Sequence, residues 1–239
     1  MFAKLVKVSG RLRDTAEKPF WISYADLMTA LMVLFLVAMS VALLAVTKKI
    51  NEQDRRKQEH DLAIMELLNK LEDVTAKFPG VKLDRDRKVI DFQDRALFEK
   101  NDYHLRNDQA QLLRAFVPEV LTIAATDVGK KILKRVVVEG FADPTGTYLY
   151  NLNLSLQRSQ SVLCGLFASP SKAEDALTGD QLGQIRELFV VGGYSFNNAR
   201  KTAAESRRVE LRLELYGVDE EHLQLTGVAA GNFGDCQLR

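Results

Sequence analysis

FWISYADLMTALMVLFLVAMSVALLAV, residues 20–46, decides how the rest of the chain reads. Across these 27 residues the only Asp, Glu, Lys or Arg is Asp26. A helix of that length rises about 1.5 Å per residue, roughly 40 Å in all, enough to cross a hydrocarbon core of about 30 Å. The stretch predicts a single N-terminal transmembrane helix. Asp26 lies a little under two turns inside the apolar boundary, where a charged carboxylate costs about 2.5–3.5 kcal/mol on insertion scales. An acid at that depth is by default a functional residue; the bland alternative is a carboxyl that only hydrogen-bonds a neighbouring helix. A carboxyl in hydrocarbon can hold a proton and release it when a wetter or more positive surrounding is presented. Asp26 is therefore the candidate ion-binding residue, with Thr29 one turn away on the same face and Tyr24 near the interfacial end beside Trp21. Ala30, also one turn on, lets another helix approach closely. One helix cannot enclose an ion path alone, so a multi-spanning partner is expected. A carboxylate serves a proton or a sodium ion alike, and the partner supplies the remaining ligands.

The flanks do not fix orientation by charge. Lys4, Lys7, Arg11, Arg13 and Lys18 precede the span, against Asp14 and Glu17, while Lys48, Lys49, Arg55, Arg56 and Lys57 follow it. A cleavable signal peptide is the competing reading, but the apolar run is about twice a signal core and carries an Asp, so an uncleaved anchor is expected. Residues 1–19 read as a tail and 47–80 as a helical linker. Within that linker Leu67, Leu71, Val74 and Phe78 recur at steps of four, three and four, which suits either a connecting helix with one sticky face or a dimerising one. Pro79-Gly80 stops it.

From 81 to 217 the pattern is mixed. Strands are expected at Val89–Phe92, Arg135–Glu139, Leu188–Val191 and Arg208–Leu215, the last alternating Val209, Leu211, Leu213 and Leu215 with charged residues, one face to a core and one to solvent. Helices are expected over 107–125, with a candidate kink at Pro118, and over 152–167. Residues 169–183 read as an insertion with a turn at Thr178-Gly179-Asp180, and 218–239 as a polar tail without a domain. The fold class is α+β: one transmembrane helix, a helical linker and one soluble domain, which the chain length allows.

Net charge is +1, so overall charge points to no polyanionic partner and no direct nucleic-acid binding. No phosphate-binding glycine loop, HExxH or nucleophile elbow occurs, and the three histidines, His60, His104 and His222, are scattered. The chain is not expected to be an enzyme, nor to hold a metal or cofactor. Cys164 and Cys236 lack metal-ligand spacing; as a disulfide or as buried thiols they are equally compatible with the sequence. One further constellation remains. A strand ends in GFADPTG (140–146), followed by YNLNLSLQR (150–158), which puts Asp143 on a glycine-punctuated loop and Arg158 on the next helix. An acid and a guanidinium at the rim of one pocket suit a zwitterionic ligand. The competing reading is a structural salt bridge.

Both constellations match known families. WISYADLMTALMVLFLV resembles the ion-binding helix of MotB-type stator subunits of bacterial motors, and 138–215, with GGYSFNN (192–198) and SRRVELRLEL (206–215), resembles the OmpA-like peptidoglycan-binding domain. The finer resemblance, through EKPFWISYADLMTALMVLFLV, EGFADPTGTYLYNLNLSLQRS and GGYSFNNA, is to the MotB-like component of Zorya anti-phage defence systems. This implies an OmpA-like α/β sandwich and a proton-binding Asp26. It also implies a peptide-stem site of Asp143, Asn151 and Arg158 flanked by Tyr150 and Leu154. One departure is Ala142, where the family often carries Thr. The resemblance further implies a homodimer in a ZorA-like ring, a cytoplasmic N-terminus and a periplasmic, peptidoglycan-bound C-terminal domain in the inner membrane. Cys164 and Cys236 would then lie where a disulfide can form. A flagellar-type stator subunit and a passive wall-anchoring protein are the alternative functions.

Overall fold

The computed structural model describes residues 20–168, 176–220, 233–236 and 238. The expected tail at 1–19 and most of the one at 218–239 lie outside these. The chain divides into two units, residues 1–55 and 56–239.

Helix α1 (Phe20–Ala76) begins in the first unit and has its last turns in the second. No proline or glycine interrupts it, and from residue 24 to 55 every side chain is exposed. Leu31, Leu34, Phe35, Val41 and Leu44 are among the uncovered apolar groups, on all sides of the helix. This N-terminal stretch of α1, apolar all round and exposed among the described residues, is long and apolar enough to cross a membrane.

The second unit builds an α+β domain. Strands β1 (Lys82–Asp84), β2 (Val89–Asp91), β3 (Leu133–Gly140), β4 (Phe189–Gly193) and β5 (Val209–Leu215) form one sheet in the order β1-β2-β5-β3-β4. β1, β2, β5 and β3 are antiparallel neighbours, and β4 joins β3 in parallel. That parallel pair needs a crossover. Helices α4 (Tyr148–Phe167) and α5 (Gly179–Leu188) supply it. Helices α2 (Asn107–Ala124), which continues past Pro118 although that residue has no N–H to donate, and α3 (Asp127–Ile132) lie between β2 and β3 in the chain, and the short α6 (Ala203–Ser206) precedes β5. Thr178-Gly179-Asp180 is not a free turn. Thr178 caps α5 by accepting from the Gln181 N–H, and the Gln181 side-chain oxygen accepts in turn from the Thr178 N–H.

The core lies between one sheet face and the helices. Ile90, Val136, Val138, Leu211 and Leu213 meet Leu113, Phe116, Val120, Val162 and Leu166. Phe78 and Phe92 meet Phe116 edge-on, with centroids 5.2 and 5.5 Å away. Leu67, Leu68, Leu71 and Val74 of α1 belong to the same core. The expected linker at 47–80 therefore splits near residue 55, and the sticky face that suited dimerisation is buried within its own domain. Leu71→Ala is expected to lower the stability of this domain by about 3 kcal/mol, as a fully buried leucine does, measured by denaturant unfolding of the detergent-solubilised chain. A true linker residue would cost almost nothing.

The second face of the sheet also departs from the expected solvent-facing row. Glu139 and Glu210 on it are fully buried. Glu210 accepts from Arg200 at 2.6 Å, Arg208 at 2.7 Å and Arg87 at 3.5 Å, and Asp91 beside it accepts from Arg200 at 2.5 Å. Glu139 takes both a 2.5 Å and a 2.9 Å bond from Arg212. Alternation along β5 set Glu210 on the face away from the core, but Arg87, Arg200 and Arg208 close on it and pair it instead of leaving it to solvent.

Candidate functional site

Two regions carry the side chains singled out by the sequence. In the first unit, Asp26 is exposed on α1, and the Thr29 hydroxyl donates to the Asp26 carbonyl oxygen at 2.9 Å. Successive residues turn by about 100°, so Thr29 and Ala30 share the face of Asp26 while Tyr24 lies nearly opposite. The helix thus presents the carboxylate on a face with small neighbours, and the Tyr24 ring on another.

The second region is the loop from β3 to α4. Gly140 ends β3 because the backbones there approach too closely for a side chain: a Cβ would sit 1.9 Å from the Ser155 carbonyl oxygen. The loop then runs beside the segment after β4, with the Ala142 N–H donating to the Ser195 carbonyl at 2.8 Å and the Tyr194 N–H to the Gly140 carbonyl at 3.0 Å. Within it the Thr145 N–H donates to Asp143 Oδ1 at 2.9 Å, and Asn151 Nδ2 donates to the Thr145 carbonyl at 2.9 Å. Asn151 and Leu154 are buried and Tyr150 is exposed.

Arg158 is not at a pocket rim. Its side chain is fully buried, and its donors reach three backbone carbonyls: Nε to Asp102 at 2.8 Å, Nη1 to Phe141 at 2.8 Å and Nη2 to Glu99 at 3.0 Å. The guanidinium also lies 5.2 Å from the centre of the Phe98 ring. Burial and the nearby Arg207 charge pull its pKa down to about 10, which leaves it charged at neutral pH. Among the described residues the ion pair of Asp143 is not with Arg158, so the structural salt bridge weighed for these two is replaced. The residue that meets Asp143 is Arg207, whose Nη1 donates to Asp143 Oδ2 at 3.3 Å and whose Nε donates to the Phe98 carbonyl at 2.9 Å. Arg207 was legible only as one of the tandem arginines in SRRVELRLEL. Arg208, next to it, lies 4.3 Å from the Phe141 ring centre and pairs with Glu210, and this locks the entry to β5 with Arg207 turned toward the loop.

Burial pushes the Asp143 carboxyl up, but the bonds from Thr145 and the Arg207 guanidinium outweigh it and hold the pKa below the ordinary 3.8. A carboxyl lowered on folding stabilises the native state above its unfolded value and loses that contribution as pH falls through the folded one. The Asp143–Arg207 pair is therefore expected to be insensitive to pH from about 5 to 8 and to weaken only below 3.8, followed by unfolding midpoints across a pH series.

Cys164 on α4 and Cys236 form a disulfide, 72 residues apart in sequence. It ties residues 233–236, where Phe233 packs on Phe167 with centroids 4.9 Å apart, to the domain. Reduction, or Cys236→Ser, is expected to cost about 3 kcal/mol, seen as a lower melting temperature in reductant. Among the described residues no cluster of His, Cys, Asp and Glu has metal-site geometry.

Helix and domain together define a single-pass membrane protein: one apolar helix bearing an acid, continued into an α+β domain. Residues 10–59 match the family model described as membrane MotB of the proton-channel complex MotA/MotB. Across 223 residues, 92% of this chain and 90% of the relative, the chain is 42% identical to Zorya protein ZorB of Escherichia coli O139:H28 (strain E24377A / ETEC). The chain belongs to the ZorB family. Solved structures similar to it include the cell wall anchor of the T6SS from Pseudomonas aeruginosa (21% identity, 62% of this chain and 97% of that one, TM-score 0.40). The periplasmic domain of MotB is also similar (14% identity, 55% and 65%, TM-score 0.39).

Proposed function

We propose that this chain is the wall-anchored subunit of a proton-driven motor in the bacterial inner membrane, acting as a homodimer with a ring of ZorA-like multi-spanning subunits in anti-phage defence. The observation that carries the reading is Asp26, exposed on the one helix among the described residues that is long and apolar enough to cross a membrane, in a chain whose other unit is a folded domain. A carboxylate left facing lipid has no stable state there, so the face of Asp26, Thr29 and Ala30 packs against the partner, which supplies the aqueous access. Proton entry and release at Asp26 then drive the partner ring around a helix that the far domain holds still. Proton is the ion proposed, held and released by the one carboxyl; a sodium ion would draw its remaining oxygen ligands from the partner.

The disulfide supports the orientation, because such bonds persist in oxidising compartments. The domain is periplasmic and the N-terminus cytoplasmic. The wall-binding site is the Asp143 loop: the carboxylate and Arg207 offer opposite charges to a zwitterionic peptide stem, Asn151 fixes the loop through Thr145, Leu154 backs it and Tyr150 flanks it. Arg158 supports that site from beneath. No covalent chemistry is assigned to any residue. The test is co-sedimentation of the full detergent-solubilised chain with purified sacculi. Wild type is expected in the pellet and Asp143→Ala in the supernatant; wild type remaining in the supernatant overturns wall anchoring.

A further inference from the structure

The Cys164–Cys236 bond stands apart from the core of its domain. Every residue of that apolar core, and every half-buried apolar residue packed on it, falls between Ala63 and Leu215, so among the described residues none beyond Leu215 contributes to it. Cys236 is exposed and Cys164 half-buried. Cys236 and Leu238 form one wall of a cavity of about 310 Å³, whose other walls include Tyr103 of the loop before α2, Gln111 of α2 and Gly165 of α4. Those other walls are joined directly. Arg114 of α2 donates to the Gly165 carbonyl at 2.6 Å and to the Ala168 carbonyl, and Leu105 closes on Gly165, where a Cβ would come within 2.8 Å of its side chain. Residues 233–236 and Leu238 thus lie as a strap over a groove that the domain builds from α2 and α4.

We propose that the Cys164–Cys236 disulfide is a redox latch: a dithiol reductant opens it while the domain stays folded, and the strap lifts from the groove between α2 and α4. The chemistry is thiol–disulfide exchange. One thiolate of the dithiol attacks the sulfur of Cys236, the more exposed of the two residues. The Cys164–Cys236 bond breaks, a mixed disulfide forms on Cys236, and Cys164 leaves as a thiolate that takes a proton from water. The second thiolate of the reductant then attacks its own sulfur in the mixed disulfide and releases Cys236, which is protonated in the same way. The reductant ends as its disulfide, two electrons having passed to the protein. Reduction removes the crosslink and none of the core contacts, so the strap opens as a local event, lower in free energy than global unfolding. The inference depends neither on wall binding nor on proton transfer at Asp26.

The test uses the full detergent-solubilised chain, dithiothreitol as the dithiol, cysteine alkylation, chymotrypsin and amide hydrogen exchange. Without denaturant, both cysteines are expected to become reducible and alkylated, with far-ultraviolet circular dichroism unchanged. Cleavage after Phe233, read by intact mass once the digest is quenched and fully reduced, is expected in the reduced chain and not in the oxidised one. Cys236→Ser is expected to be cleaved there without reductant. Amide exchange over residues 103–111 is expected to rise on reduction while β3 and β5 stay protected. A disulfide that yields to dithiothreitol only after denaturant has unfolded the chain is a structural clamp, and the latch is wrong. Loss of protection in β3 and β5 together with the strap has the same meaning. Cleavage after Phe233 that is equal in the oxidised, reduced and Cys236→Ser chains also overturns the proposal, because the strap is then held, or free, whatever the state of the bond.

Discussion

Asp26→Asn is expected to abolish protection from phage, with plating efficiency rising to that of cells lacking the system. Asn keeps the size and hydrogen-bonding reach of Asp but cannot take up and release a proton, so a variant that inserts and folds normally loses only the ionisable step. Insertion should improve slightly, because the charged form costs about 2.5–3.5 kcal/mol at the helix centre. The work available per proton is about 2.3 kcal/mol for each 100 mV of membrane potential, which sets what one carboxylate can deliver per step. Asp26→Glu retains the chemistry with the carboxyl displaced by one methylene, and partial protection is expected. The readout is plaque counts at matched membrane levels, with sacculus co-sedimentation as a control that must not change. Full protection by the Asn variant sinks the proton-carrier role and leaves a passive wall anchor, in which Asp26 only holds a neighbouring helix. Wild-type protection that disappears when sodium is withdrawn from the medium reassigns the ion.

The elements most legible from sequence are those whose pattern is local. An apolar run as long as residues 20–46 has no other common reading than a span, and the alternation of Val209, Leu211 and Leu213 needs only its own period. β5 is in the structure where that alternation put it. Two features depended on parts of the chain far apart in sequence. The Leu67, Leu71 and Val74 stripe looks the same whether it meets a second copy or Phe116 of its own domain, since periodicity records that a face is apolar and not what covers it. Glu210 likewise read as solvent-facing until Arg87, Arg200 and Arg208, from three places along the chain, are set around it. The site shows the same division. Asp143, Asn151 and Tyr150 cluster because they are neighbours along one loop and one helix start, whereas the exchange of Arg158 for Arg207 as the partner of Asp143 follows from how β5 enters the sheet.

That exchange separates two arginines that are alike in charge and lie near one carboxylate. Arg158→Ala is expected to lose wall binding by losing the fold. The truncation leaves the carbonyls of Glu99, Asp102 and Phe141 without their donors inside the domain, and opens a cavity beneath Phe98. Buried polar groups stranded in this way cost about 1–3 kcal/mol each, so the sum is about 5 kcal/mol, comparable to the whole stability of many domains. Arg158→Lys keeps the charge but reaches one carbonyl in place of three, and an intermediate loss is expected. Arg207→Ala is different. It removes one ion pair at 3.3 Å and one carbonyl bond at the edge of the loop, while Arg208 and Glu210 still hold the strand entry. A loss of about 1–2 kcal/mol is expected, which leaves the domain folded at 25 °C with sacculus binding strongly reduced. Denaturant unfolding and co-sedimentation on the same preparations distinguish the two. A folded Arg158→Ala chain that fails to bind the wall makes Arg158 a direct ligand, with its present carbonyl partners displaced by the stem. An Arg207→Ala chain that binds normally removes Arg207 from the site and leaves Asp143 to work without it.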